Sequence, residues 1–410
     1  MPDLILKDLK AVYGIDPGGK IRDPLPEPLS IVVRNDTITA IAPYQKIKTS
    51  VASDPHPPTV LDCSDLIAVP GFIDSHTHLV FAGSRDKELY LRAQGRSYLD
   101  IQNQGEGIHS TAKAVREASE EELIRSGLGF LDQALGFGTT TIEIKTGYGL
   151  DESTEEKMLR VIRSLKNLHP VDIVSTFLVH TVPKGENRES YIDRVMEGMI
   201  PKFRGLAEWF DIFIEQGVFD IREGEKMIRR ARDNGYKVGI HTNQATDIGG
   251  VKLALREGVR HVDHLEVLDP ADAEEMIKNK NLYAVFLPTA EMFTFSPRVG
   301  RIDALMSIPN RLVLASDFNP GTSPVLSPLF VMAMSVLRYR LSDPRLILDA
   351  WTANPAAMFG LDDRGVLRPG ARADILCFRL DRFEQIPYFG LLNTLKHVIK
   401  NGKPVRTFPS

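Results

Sequence analysis

Two histidines one residue apart, His76 and His78, close the apolar stretch Val69-Pro-Gly-Phe-Ile-Asp-Ser. On an extended chain, residues i and i+2 face the same side, so both imidazoles can address one metal ion. An H-x-H pair by itself is weak evidence and can equally be a chance pair on a solvated strand end. The pair is not alone. Lys237-Val-Gly-Ile-His241 ends in histidine, and Arg311-Leu-Val-Leu-Ala-Ser-Asp317 ends in aspartate. For any one such residue, a hydrogen-bonded buried polar group is the commoner explanation. Apolar runs that stop repeatedly at His or Asp are hard to explain by packing. Three imidazoles and a carboxylate suit a borderline-soft divalent ion, zinc or iron(II). The expected ligands of one ion are therefore His76, His78, His241 and Asp317.

Other strand ends add to this group. His261-Val-Asp-His264-Leu-Glu266 places His264 on the side of the other terminal His and Asp residues, where a proton carrier beside an activated water is needed. His261 reads as a strand-start surface residue. Thr176-Phe-Leu-Val-His180 offers His180 as a ligand, a substrate contact or a capping group. Asp211-Ile-Phe-Ile-Glu215 is informative by what it lacks. A two-metal barrel of this sort often needs a carbamoylated lysine at that point to bridge the ions, and none is present, so one metal is favoured. Lys145, which ends an earlier run, fits that role only if the strand count is off by two.

The elements that must position these residues alternate. Eight short β runs are read: Leu66–Ile73, Thr139–Lys145, Asp172–His180, Asp211–Glu215, Lys237–Gln244, His261–Glu266, Leu282–Pro288 and Arg311–Asn319. Helix-period segments lie between them, with Ser153-Thr-Glu-Glu156 read as a capping box, Asp220 and Glu223 as a second start, and Gly235 and Gly258 as stops. Strand–helix alternation repeated eight times over roughly 250 residues predicts a parallel (β/α)8 barrel. No G-x-G-x-x-G opens a helix after an early strand, which disfavours a doubly wound open sheet. The first crossover, Leu79 to Gly138, is long and carries two helical stretches and the polar segment Gln102-Asn-Gln-Gly-Glu-Gly-Ile-His-Ser110, expected at the catalytic face.

Both ends are β-rich. Ile31–Val33 and Thr37–Ala42 flank Arg34-Asn35-Asp36, and His397–Val405 reads as a hairpin around Asn401-Gly402. Residues 1–65 and 363–410 are expected to build one small β-sandwich domain around a barrel spanning 66–362. Length, 43% hydrophobic and 25% charged residues rule out a disordered chain. A formal net charge of −4 is too balanced for an electrostatic nucleic-acid binder. No apolar run approaches the roughly 18 residues of a membrane span, and no signal peptide is read. Two cysteines, Cys63 and Cys377, cannot make a disulfide framework, so a cytoplasmic protein with reduced thiols is expected.

Three strings carry a resemblance: Pro70-Gly-Phe-Ile-Asp-Ser-His-Thr-His-Leu-Val-Phe-Ala-Gly-Ser-Arg85, Glu143-Ile-Lys-Thr-Gly-Tyr-Gly-Leu150 and Ala315-Ser-Asp-Phe-Asn-Pro-Gly-Thr-Ser-Pro324. They resemble the imidazolonepropionase family of the metal-dependent amidohydrolase superfamily, over about Leu66 to Gly360. The P-G-x-I-D-x-H-T-H core is shared across the superfamily, whereas the G-S-R extension and the other two strings are more specific. The resemblance implies a hydrolase that opens the cyclic amide of 4-imidazolone-5-propanoate to N-formimidoyl-L-glutamate in histidine degradation. It implies His76, His78, His241 and Asp317 as ligands, with Arg85 on the substrate carboxylate. Tyr148, His180, Asn319, Gly321 and Thr322 match family substrate contacts. Gln244 stands where members carry Gln or Glu and is expected to orient by hydrogen bonding. Ile240-His-Thr-Asn-Gln departs from the family's H-A-D pattern. Asp317 or His264 is expected to move the proton. The alternatives are a mononuclear deaminase of a purine or related ring, and a metal-free scaffold. A homodimer and a small-molecule substrate are expected.

Overall fold

Alternating apolar residues at the N-terminal end pair into a four-stranded sheet, in the order Thr37–Ala42, Leu29–Arg34, Leu4–Leu9 and Thr59–Asp62. The computed structural model describes residues 3–14, 27–51, 57–96, 107–390, 392 and 394–407. A second, five-stranded sheet joins the two ends of the chain: Lys403–Thr407, Leu395–Lys400, Ile375–Phe378, Ile67–Pro70 and Ala11–Val12. One core cluster runs through both, with Leu4, Leu6, Ile31, Val33, Ala68, Ile375, Cys377 and Ile399 all buried. Strands from both ends of the chain thus share one sheet and one core cluster. The C-terminal hairpin turns at Asn401 (φ 51°) and Gly402 (φ 74°). Both central residues are left-handed, the requirement of a two-residue turn that follows the strands' twist. Cys63 and Cys377 are free thiols in this core.

The alternating middle of the chain forms an eight-stranded sheet. Its strands in chain order are β1 (Phe72–Asp74), β2 (Thr139–Lys145), β3 (Asp172–Val179), β4 (Trp209–Ile214), β5 (Lys237–Thr242), β6 (His261–His264), β7 (Tyr283–Phe286) and β8 (Leu312–Leu314). Spatial order follows sequence order from β1 to β8. Parallel pairing is continuous from β3 to β8. The sheet closes just past its first and last strands. Asp317 N–H donates to the His76 carbonyl at 3.0 Å, and His78 N–H donates to the Phe318 carbonyl at 2.8 Å. Burial on both faces explains why these strands read as near-continuous apolar runs rather than as alternation.

One expected run is really two strands. Leu66–Ile73 divides at Pro70-Gly71: Ile67–Pro70 pairs antiparallel with Ile375–Phe378, and Phe72–Asp74 then enters the barrel. Proline withholds a donor at that corner, and the Gly71 amide bonds to the Asp374 carbonyl. Compactness divides the chain into residues 1–74, 133–141 and 327–410 on one hand and 75–132 and 142–326 on the other.

Helix ends follow local chemistry. The helix Ile221–Asp233 has the expected reciprocal Asp220–Glu223 capping box, and Gly235 follows it with φ 80°. The helix expected after Ser153 starts earlier, at Glu152, because the Asp151 carboxylate accepts the Thr154 amide and is the real cap. The first crossover holds three described helices, Asp86–Ala93, Ile108–Glu117 and Glu120–Gly136, rather than two. Of its polar segment, residues 102–106 lie outside the described residues.

Candidate active site

Residues at or just past the C-terminal ends of β1, β5, β6 and β8 meet at one place at the barrel mouth. The His76 and His241 rings lie 4.5 Å apart between centroids, His76 and His78 5.3 Å, and His78 and His241 5.7 Å. One nitrogen from each of these three histidines lies within 4.8 Å of the other two. Asp317 Oδ1 is 3.4 Å from Nε2 of both His76 and His78. All four side chains are buried.

The tautomers follow from the partners. His76 Nδ1 donates to Asp263 Oδ2 at 2.7 Å, and His241 Nδ1 donates to Asp211 Oδ1 at 3.0 Å. A carboxylate can only accept, so Nδ1 of each ring carries a proton, and Nε2, the atom a metal would take once it is unprotonated, points away from that carboxylate. Nε2 of both rings is buried without a hydrogen-bond partner. A buried imidazole nitrogen left bare, opposite a carboxylate that fixes its ring, is the arrangement of a metal-ligating histidine. These residues therefore fit a divalent ion with nitrogen and oxygen donors.

The sequence reading missed what holds these rings. Asp211 and Asp263, in the middle of β4 and β6, are fully buried, and Lys145 Nζ lies between them at 2.8 and 3.5 Å. Glu143 Oε1 accepts from the same ammonium at 2.9 Å. The available signal was an acid or lysine inside an apolar barrel strand, a place where charge persists only when paired. Burial opposes charge on Lys145, but Asp211, Glu143 and Asp263 outweigh it and raise the amine well above its usual range. Lys145 ends β2, so the strand count on which a bridging role for it depended does not hold, and its amine faces three carboxylates.

His264 also reaches the mouth. Its ring lies 5.4 Å from that of His241 and 5.9 Å from that of His76. Its Nδ1 donates to Glu266 Oε1 at 3.2 Å. Burial lowers the His264 pKa, but the Glu266 charge and hydrogen bond more than compensate, and the net direction is upward. Asp317 moves the other way. Burial would raise it, yet the adjacent His76 and His78 rings hold it far below the carboxylate range. The backbone bends through left-handed geometry at His264 (φ 89°), Leu265 (φ 67°) and Asp317 (φ 52°). Such conformations persist where the surrounding structure enforces them.

On the other side of His78 stand Tyr148 and His180, with ring centroids 5.5 and 6.3 Å away. The loop bearing Tyr148 is fixed by buried Glu155, which accepts the amides of Gly147, Gly149 and Leu150 at 3.0, 2.7 and 2.8 Å. Burial, then the neighbouring His78 and His241, push His180 well below its ordinary pKa, so it is neutral. Arg85 gives its Nε and Nη2 to Glu88, each at 2.8 Å, and Glu88 also accepts the Gly107 amide at 2.8 Å. The Arg85 guanidinium lies against Gly321 so closely that a Cβ there would fall 2.2 Å from Cζ. Arg92 Nη2 donates to the Gly321 carbonyl at 2.6 Å. Asn319 Oδ1 accepts the amides of Gly321 and Thr322 at 2.9 and 2.7 Å, so these three residues form one tied turn after β8. Gln244 follows β5, and its amide donates to Glu215 Oε2 at 3.1 Å, in a loop that Glu215 also holds through Ala245 and Thr246. His261 is buried and donates to Asp263, not exposed at a strand start as expected.

A family model described as "Amidohydrolase family" matches residues 105–406. The chain belongs to the amidohydrolase family. It is 41% identical over 342 residues to the imidazolonepropionase of Shewanella putrefaciens, covering 82% of this chain and 83% of that protein. It is 38% identical over 352 residues to the imidazolonepropionase of Alkaliphilus metalliredigens, covering 84% and 83%. Solved structures share the fold at low identity. An adenosine deaminase from Xanthomonas campestris with bound zinc superposes with a TM-score of 0.71 at 16% identity, covering 98% of this chain and 92% of that one. Atrazine chlorohydrolase from Arthrobacter aurescens, complexed with zinc, gives 0.68 at 18% identity, covering 98% and 95%.

Proposed function

We infer that this chain is an imidazolonepropionase, a hydrolase that opens the cyclic amide of 4-imidazolone-5-propanoate to N-formimidoyl-L-glutamate. The observation that carries the reading is the cluster of His76, His78, His241 and Asp317, two of its rings already locked by carboxylates, in a chain about 40% identical to imidazolonepropionases. His76, His78, His241 and Asp317 would hold one divalent ion, zinc or iron. Such an ion lowers the pKa of water from about 15.7 towards about 7 and stabilises negative charge on a carbonyl oxygen.

The chain's own groups do the rest. His264, held through Nδ1 by Glu266, presents its other nitrogen as the acceptor for the attacking water's proton and returns that proton to the departing ring nitrogen. Asp317 is the weaker candidate for that task because two histidines hold its carboxylate strongly ionised. Arg85 receives the propionate carboxylate, while Tyr148 and His180 line the ring's approach and align it for attack. Gln244 orients the substrate by hydrogen bonding, because an amide cannot act as a base. Asn319, Gly321 and Thr322 form the turn beside Arg85 and contact the substrate from that side.

The test is to strip the ion, confirm its loss by elemental analysis, and assay ring opening before and after zinc or iron is restored. Activity that survives complete removal defeats the metal-dependent reading. A purine deaminase would instead release ammonia from adenosine or guanine in a parallel assay, and none is expected. No described helix is long and apolar enough to cross a membrane. We further propose a cytoplasmic homodimer, to be checked by sedimentation velocity.

A further inference from the structure

Beneath the histidine cluster lies a closed group of charges that the hydrolytic reading does not use. Glu143, Lys145, Asp211 and Asp263 are each completely buried. The Lys145 ammonium has oxygens of Asp211, Glu143 and Asp263 at 2.8, 2.9 and 3.5 Å. Glu143 also accepts from the Thr176 hydroxyl through Oε1, yet its Oε2 is buried with no partner. Asp211, Asp263 and His241 each offer an atom within 4.8 Å of the others, the spacing of a second metal-binding triad. That triad shares His241 with the first. A primary ammonium is a compact point charge surrounded by oxygens, which is what a hard cation would be in the same place.

We propose that Lys145 occupies the place of a second divalent cation and thereby restricts the chain to one ion. This rests on the reading of His76, His78, His241 and Asp317 as ligands. The ammonium meets Asp211 through Oδ2 at 2.8 Å, and the other oxygen, Oδ1, accepts from His241. Asp263 Oδ2 accepts from His76 at 2.7 Å and faces the ammonium at 3.5 Å, and its Oδ1 accepts from His261 at 2.7 Å, so all four oxygens of the two carboxylates are taken and none is left to ligate a metal. Burial of three carboxylates is tolerable only with a cation among them. If the lysine charge were removed and its volume kept, the same oxygens would seek another cation.

The experiment measures metal content and position. Wild-type protein is incubated with excess zinc, passed over a desalting column and analysed by mass spectrometry of the metal. One equivalent is expected. Lys145→Met, checked for folding by circular dichroism, should retain two equivalents, with the added ion located by anomalous scattering among Asp211, Asp263 and Glu143. A folded Lys145→Met variant that holds one equivalent overturns the proposal. So do two equivalents in the wild type. A second arm needs no variant: wild-type protein equilibrated with carbon-13 bicarbonate should give no lysine carbamate resonance, and a carbamate at Lys145 would make it a ligand rather than a replacement. Wild-type protein that retains no zinc at all would instead defeat the underlying metal assignment, an outcome distinct from either of these.

Discussion

Replacing Arg85 with alanine should weaken substrate binding while leaving the hydrolytic centre intact. Arg85 is 6% exposed and held by two 2.8 Å hydrogen bonds to Glu88, so its guanidinium is preorganised. Its Nε and Nη2 are held by Glu88, and the proposed role of the guanidinium is to meet the substrate carboxylate. A charge-assisted hydrogen bond lost there costs about 1.5–3 kcal/mol. At about 1.4 kcal/mol per factor of ten, that is roughly a 10- to 150-fold rise in KM. The fold should survive the change, because Glu88 keeps the Gly107 amide and has Arg92 Nη1 at 3.8 Å as a remaining cation. Steady-state kinetics of ring opening, with metal content measured in parallel, provide the assay. A substrate analogue lacking the carboxylate should bind wild type and Arg85→Ala alike. A fully metal-loaded Arg85→Ala enzyme with KM unchanged would falsify the assignment of Arg85 to the carboxylate.

Other expectations follow from the same geometry. Glu88→Ala removes the carboxylate shared by buried Arg85 and Arg92 and should lower stability by about 3–5 kcal/mol, read from urea unfolding, because breaking a buried ion pair from one side leaves charge uncompensated. Asp263→Asn or Asp211→Asn should reduce metal affinity about 10- to 100-fold in a chelator competition, since each fixes a ligand ring; unchanged affinity would argue against that role. In the metal-free protein, burial and Lys145 lower His76, but Asp263 and Asp317 prevail and raise it to about 10. Near neutral pH a proton therefore occupies the site, and metal must displace it. Affinity should fall about tenfold per pH unit as pH drops from about 8 to about 6, and a flat profile would be contrary evidence. His264→Gln should cut kcat by about 100- to 10,000-fold. In wild type the His264 pKa is raised, and a base must be neutral, so kcat should decline as pH falls through that pKa. An acid limb that persists unchanged in His264→Gln would assign it to another group.

The sequence by itself determined the eight-fold alternation and the identity of the residues at the strand ends. His76, His78, His241, His264 and Asp317 were all legible because an apolar run that ends in a polar residue marks both a strand and its catalytic end. Burial on both faces made the strands conspicuous, and the terminal hairpin was legible because Asn401-Gly402 admits few other turns. Tertiary structure alone decided the rest. Pairing between distant segments split Leu66–Ile73 into two strands, since hydrophobicity does not record which sheet a residue joins. It also decided that Asp211 holds His241, that Asp263 holds His76, and that Lys145 joins both. Those partners are 30, 187, 66 and 118 positions apart in the chain. A lone charge within a strand announces that some partner must exist, because burial demands one, but only the closure of the barrel brings a particular partner within hydrogen-bonding reach.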